Sequence, residues 1–305
     1  MRKDKRSIIS PERGRELSEA GLYVITCGIE GCACGQKDET CERGFFSLFI
    51  QAIYGIDFAA RNGIPYHVDF GNMRYCYSDR RQGDPNWWNY YFRQPIPQRP
   101  AHLPAVVNRF HELYPIPIWD RSHFRRMNAH VQRLVFEDDV AKHIDAARKK
   151  VVDLNALGVH VRRTDHPDSI LPVEAGDYYR VIDKLIDRHN MLFLSTDDDR
   201  VVQDFRKRYG AKVHVNDVKR SSDTQAVHRN FEHDDRLRLG LDVLTDCLCL
   251  ASCKKLVLTF SNVSYASLLF NPGVPYILLE KPRTTWRRYK TLIVYFLDKW
   301  GIRKW

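Results

Sequence analysis

The 305-residue chain contains no run of roughly 18 consecutive apolar residues, which excludes a membrane-spanning helix of ordinary length. Its opening residues, Met1-Arg2-Lys3-Asp4-Lys5-Arg6, are charged, and no apolar segment of about 7–15 residues follows, so no secretory signal is read there. There is no internal repeat and no low-complexity tract, which argues against a solenoid or a disordered linker protein. None of the eight cysteines forms a C-x-x-C pair, so the spacing of a paired zinc site is missing. Cys27, Cys32, Cys34 and Cys41 crowd one loop and read as loop thiols, with structural zinc as the alternative. Cys247, Cys249 and Cys253 lie in an apolar helical pattern and read as core thiols. No recognised nucleic-acid-binding motif is present, so no nucleic-acid partner is expected. The expected location is cytoplasmic, where thiols stay reduced.

What is present is ordinary for a globular protein: 44% hydrophobic and 28% charged residues. The formal net charge is +10, which favours an anionic partner, whether nucleic acid, an acidic membrane surface or a nucleotide-diphosphate substrate. From residue 151 onward, strand and helix signals alternate. Strands are expected at Ala156–Val161, Met191–Ser195, Lys212–Val215, Lys255–Thr259 and Tyr276–Leu279. Helices are expected over Asp177–Arg188 with Asp177 as N-cap, Asp199–Tyr209 ended by Gly210, Asp235–Ser252, and Val263–Phe270. Short apolar strands separated by helices predict a parallel, doubly wound α/β sheet. The first half is less regular. It offers one βαβ unit, with a strand at Leu22–Thr26, an apolar helix at Gly44–Asn62 and a strand at Pro65–Asp69. An aromatic, Pro-containing region around Trp87, Trp88, Tyr90 and Tyr91 follows and reads as core or loop wall, with a stacking platform for an acceptor sugar as the alternative. Two helical patterns then span Ser122–Lys150. The expectation is two α/β domains facing a cleft, residues 1–150 and 151–282, followed by a basic, aromatic helix at 283–305.

Three blocks in the second half fall at strand C-termini of one sheet, where open α/β sheets bind ligands. The first is His160-Val161-Arg162-Arg163-Thr164-Asp165, whose adjacent guanidiniums suit a diphosphate. The second is Thr196-Asp197-Asp198, which is either a donor contact or a turn that caps the next helix. The third is Thr259-Phe260-Ser261-Asn262, where a helix start offers backbone N–H groups to a phosphate. Asp242 is a carboxylate within an apolar stripe and needs a donor partner, which a guanine's N1–H and N2–H₂ would supply.

In this order, these blocks resemble the GDP-fucosyltransferase superfamily, chiefly its α1,6-fucosyltransferase branch. The matching residues are His160 to Asp165, Thr196-Asp197-Asp198, Leu241-Asp242-Val243-Leu244 and Thr259-Phe260-Ser261, over about residues 155–272. The resemblance implies a GT-B fold, GDP-fucose as donor, inversion at the sugar, and neither metal nor cofactor. It also implies Arg162 and Ser261 on the β-phosphate, and His160 and Asp242 near guanine. Arg163, Asp165, Asp197, Asp198, Thr259 and Asn262 complete the expected donor site. The family's Lys after the Asp is His166 here, its nearby Glu falls about where Asp168 stands, and Asn262 replaces a Gln-type residue. Among Asp168, His166 and Glu174, Asp168 is taken as the base for the acceptor hydroxyl.

The expected function is therefore fucose transfer to a glycan or lipid-linked saccharide. Rival readings are a GT-B enzyme using another nucleotide sugar, and a non-catalytic binder of anionic ligands or nucleic acid. The segment from Trp286 to Trp305 mixes Arg and Lys with Trp, Tyr and Leu. It suits either a helix packed back on the first domain or an interfacial helix on an anionic membrane, which would make the protein peripheral at the inner membrane face.

Overall fold

A computed structural model of the chain describes residues 9–27, 40–71, 74–78, 86–96, 102–109, 112, 119–163, 170–171, 173–221, 235–279, 281–282 and 293. The first half is built on strand β1 (Leu22–Ile25), buried at every residue. It pairs in parallel with β3 (Tyr66–Val68) on one side and with β5 (Ala105–Val107) on the other. A short parallel pair, β2 (Thr40–Cys41) with β4 (Arg74–Tyr75), lies apart from that sheet. Helix α2 (Phe45–Arg61) is buried almost all round, as expected of a helix enclosed between layers rather than lying on a surface. Together β1, α2 and β3 form the βαβ unit expected from the sequence.

Strand β5 and helix α1 were not legible as patterns, and neither were the two-residue strands β2 and β4. Strand β5 is three residues long and follows Pro104. Helix α1 (Pro11–Glu19) is polar, and Ser10 caps it by accepting from the Arg13 N–H at 3.2 Å. Its tertiary anchor is a buried ion pair, with Arg13 Nε and Nη2 donating to Glu112 at 2.7 and 2.8 Å. Tyr23 Oη also donates to Glu112 at 2.7 Å. Trp87 and Trp88 lie in a 3₁₀ turn and are fully buried. They are core, not a sugar platform.

Helices α3 (Arg121–Val131) and α4 (Asp138–Asp153) lead into the second half. Its strands are β6 (Ala156–Val161), β8 (Met191–Thr196), β9 (Val213–His214), β10 (Lys255–Thr259) and β11 (Tyr276–Leu279). All five are parallel, in the order β11-β10-β6-β8-β9. Connecting helices are α5 (Ala175–Ile182), α6 (Asp199–Tyr209), α7 (Arg236–Ser252) and α8 (Asn262–Phe270). One expectation needs correction. Helix α5 starts two residues before Asp177, with Glu174 at its N-cap, and the chain then breaks into a separate 3₁₀ turn at Ile186–Arg188. Strands β7 (Ile170–Leu171) and β12 (Lys281–Pro282) pair antiparallel beside this sheet.

Side-chain alternation divides the second sheet into two faces. Leu157, Val159, Val161, Leu192, Leu194 and Val257 face one core, shared with α5 and α6. Ala156, Phe193, Leu256 and Leu258 face the other, which continues through α7 and α8 into α2 and the first sheet. Phe49 of α2 stacks on Phe270 of α8 at 5.4 Å. Tyr54 Oη lies 2.8 Å from both His123 Nε2 and Tyr265 Oη. Asn128 Nδ2 donates to the Leu269 carbonyl at 2.7 Å, satisfying an end-of-helix acceptor of α8. Helix α4, which the sequence reading grouped with the first half, lies against α7. Among the described residues no helix is long and apolar enough to cross a membrane.

Two glycines permit close approaches. At Gly158 in β6 a Cβ would stand 2.5 Å from Leu256 Cδ2 and 2.8 Å from Cys253 Sγ. At Gly240 in α7 it would overlap the hydroxyl and Cζ of Tyr91, a buried side chain whose Oη donates to the Leu237 carbonyl. Gly240→Ala should therefore push α7 off the aromatic turn and destabilise the protein by about 1–3 kcal/mol. Urea unfolding measures this, and an unchanged midpoint would contradict the contact.

Candidate functional site

The chain steps from β6 to β8 and β9 on one side, then returns to place β10 on the other side of β6. Crevices for ligands open beyond the carboxyl ends of strands at such a switch point. β6 ends at Val161 and β10 at Thr259, so the expected blocks do flank it. A cleft of about 940 Å³, counting the solvent at its mouth, opens there. His160 and Arg162 line it from the end of β6, and Ser195 and Asp197 from the end of β8. The register sets His160 beside Ser195, so these four alternate residues reach the same face. Helix α7 contributes Leu239, Asp242, Val243 and Asp246, and α8 contributes its start at Ser261, Asn262 and Val263. From the first half come Gly44 to Ser47 at the start of α2, together with Tyr77.

Ser261 is the N-cap of α8, its Oγ accepting from the Ser264 N–H at 3.0 Å. His160 is buried, with Nδ1 3.0 Å from Ser264 Oγ and 3.3 Å from Ser261 Oγ. The histidine thus ties the end of β6 to the first turn of α8. In that turn the leading N–H groups have no intrahelical acceptor, and their dipoles favour an anion beside Arg162. Gly44, capping α2 without a side chain, presents a second helix start to the cleft.

Several expected contacts fall elsewhere. Arg163 does not line the cleft. Its charge acts on Tyr178, Tyr179 and Asp198, on the opposite face of the sheet, while its backbone N–H donates to Asp197 Oδ1 at 3.2 Å. Alternation separates the two arginines, so Arg162 is the one of the pair that lines the cleft. Thr259 is fully buried and shares the face of Val257, away from the cleft. Asp198 caps α6 by accepting from the Arg200 N–H at 2.9 Å and pairs with the Arg200 guanidinium at 2.7 Å. The Arg200 hydrogen bond holds its carboxyl below the usual range. The turn-and-cap reading therefore applies to Asp198, while Asp197 faces the cleft. Asp242 finds its donors within the chain: Arg238 Nε at 2.6 Å and the Lys219 N–H at 3.4 Å. Asp165, His166, Asp168, Cys32, Cys34 and residues 286–292 and 294–305 lie outside the described residues. Glu174 is exposed at the N-cap of α5.

The sequence reading missed Asp246, one helical turn beyond Asp242 and on the same face. It is buried, lines the cleft, and accepts from Asn216 Nδ2 at 2.8 Å. Burial pushes its carboxyl up to about 6, against the lowering effects of Asn216 and Arg220. Burial also raises Asp242, opposed mainly by Arg238. The i, i+4 spacing of two acids inside an apolar helix was the available signal. Cys41, Cys76, Cys247, Cys249 and Cys253 are buried free thiols, and Cys27 is buried as well. Among the described residues no group of His, Cys, Asp and Glu is arranged to hold a metal.

No protein-family model and no curated protein matches the chain. Among solved structures, it is similar to the NodZ alpha-1,6-fucosyltransferase soaked with GDP-fucose, at 16% identity and a TM-score of 0.50. That match covers 82% of this chain and 92% of the other. The fold is shared. Two further similarities are to fucosyltransferase NodZ from Bradyrhizobium and to POFUT1 in complex with GDP. The former has 14% identity, TM-score 0.48 and coverage of 81% and 93%. The latter has 10% identity, TM-score 0.47 and coverage of 85% and 98%. The fold shared with the first of these structures, two parallel-sheet layers meeting at the cleft, is the GT-B arrangement expected from the sequence.

The reassignment of Asp198 has a direct test. Asp198→Ala should cost about 1–2 kcal/mol in stability through loss of the cap, and should change nucleotide affinity by no more than about twofold. Denaturant unfolding combined with calorimetric titration reads both. A loss of nucleotide affinity at unchanged stability would return Asp198 to the binding site.

Proposed function

We propose that the chain is an inverting glycosyltransferase that moves fucose from GDP-fucose to a glycan or lipid-linked saccharide. The observation that carries this reading is the convergence of Arg162, His160, the α8 start and Asp246 on one cleft at the switch point of the sheet. In this reading residues 151–282 hold the donor and residues 1–150 face the acceptor. A departing diphosphate gains negative charge, and fixed donors aimed at its oxygens lower the barrier. Arg162 and the first-turn N–H groups of α8 supply them without a metal, and His160 fixes that turn to the strand end. Direct displacement by an acceptor hydroxyl inverts the anomeric carbon. In this reading the hydroxyl proton passes to Asp168. The NodZ structure soaked with GDP-fucose, together with the four sequence blocks, supports fucose and guanosine over other donors.

The base-reading role moves from Asp242 to Asp246. Arg238 already engages Asp242, whereas Asp246 is a buried carboxylate that guanine N1–H and N2–H₂ would stabilise in its ionised form. Binding then needs the ionised carboxylate, whose pKa is about 6 in the free protein. Affinity for GDP should hold above that pH and fall as pH drops through it, by up to about tenfold per unit. GDP's own phosphate titrates nearby, so the informative quantity is the difference between wild type and Asp246→Asn. Calorimetric titration with GDP should show selectivity over UDP that Asp246→Asn removes, together with the pH dependence specific to the carboxylate. Equal binding of GDP and UDP by the wild type would contradict a guanosine donor.

A further inference from the structure

The segment after β9 forms one wall of the cleft, through Val218 and Lys219. It has no regular secondary structure from Asn216 to Arg220, yet α7 holds it at successive residues. Asn216 Nδ2 donates to Asp246 Oδ1 at 2.8 Å. The Asp217 carbonyl accepts from Arg238 Nη2 at 3.3 Å. The Lys219 N–H donates to Asp242 Oδ2 at 3.4 Å, and the other oxygen of Asp242 takes Arg238 Nε at 2.6 Å. Arg220 closes the turn on itself, donating to the Asn216 and Val218 carbonyls at 2.7 and 3.3 Å. Beyond it, Ser221 bridges to the end of β8, its N–H donating to the Asp197 carbonyl at 2.8 Å.

Resting on the proposed GDP-sugar reading, we propose that Asp242 and Arg238 are a positioning pair, a clip that fixes residues 216–220 as the rigid wall of the nucleotide pocket. Asp242 orients the Arg238 fork through one oxygen and receives a wall amide through the other. Arg238 in turn holds a wall carbonyl. Neither residue reads the base. An irregular segment with unsecured backbone would lose conformational entropy each time a nucleotide bound, and the clip removes that loss beforehand. Its effect is on affinity for any nucleotide that uses the wall, with no preference among purines.

The test uses the full chain and three readouts. Hydrogen exchange of residues 216–220 should speed up in Asp242→Asn and in Arg238→Ala, the latter a half-exposed side chain whose loss leaves the core intact. Calorimetric titration with GDP and with inosine diphosphate, which lacks the 2-amino group, should show both nucleotides weakened by the same factor of about ten in each variant. The double variant should be no worse than either single, because the two residues act as one unit. Unchanged exchange in both variants would overturn the clip. A change in the GDP to inosine diphosphate ratio in Asp242→Asn would overturn it too, by making Asp242 a base reader. If the wild type binds neither nucleotide, the donor reading fails, while the exchange measurement still decides whether the clip exists.

Discussion

The parallel register of β6 against β8 and β10 is the constraint on which the site depends. It sets His160 beside Ser195 and brings the start of α8 to the same sheet edge. Because alternate side chains leave a strand on opposite faces, the register decides which residues meet a ligand. His160, Arg162, Ser195 and Asp197 reach the cleft, while Arg163 and Thr259 are sent to the other layer. A slip of one residue would exchange these sets and bury Arg162 among the apolar residues packed under α5 and α6. Gly158 protects the register, since no larger residue fits against Leu256 and Cys253.

A continuous core joins α2 and the aromatic turn to α7 and α8. Tyr54, His123 and Tyr265 form a buried polar contact across that junction. Buried hydroxyls and imidazoles must find partners or incur a desolvation cost, so this contact specifies how α2 and α8 sit against each other. The cleft residues at the start of each helix inherit that relation. On the other wall, the buried acids of α7 are compensated by Arg238 together with the Lys219 N–H and the Asn216 amide. Polar satisfaction and pocket construction are the same interactions there.

Much of the second half was legible in the sequence. Parallel strands buried on both faces read as continuous apolar runs, and β6 and β10 appear over the residues expected. Helix α7 was visible from its leucine stripe, and the structure adds that Asp235 caps it. Short or tertiary-dependent elements were not legible. β5 has three residues, and α1 is polar and relies on the Arg13–Glu112 pair. The start of α5 was misplaced because Asp177, a plausible cap residue, lies within its first turn. At the site, the strand-end blocks were found, but the partner of each acid was not. Asp198 and Asp242 both meet arginines close in sequence, a choice set by rotamer and burial rather than by motif. Asp246 carried no motif beyond its i, i+4 spacing from Asp242, and its place in the cleft follows from the packing of α7.

A crystal structure of the protein grown with GDP tests the central claim most directly. The guanine is expected between Asp246 and the wall formed by Val218 and Lys219, with the β-phosphate at Arg162 and the first turn of α8. Density for the nucleotide outside this cleft, or with its phosphates at Asp246 and its base at Arg162, would contradict it.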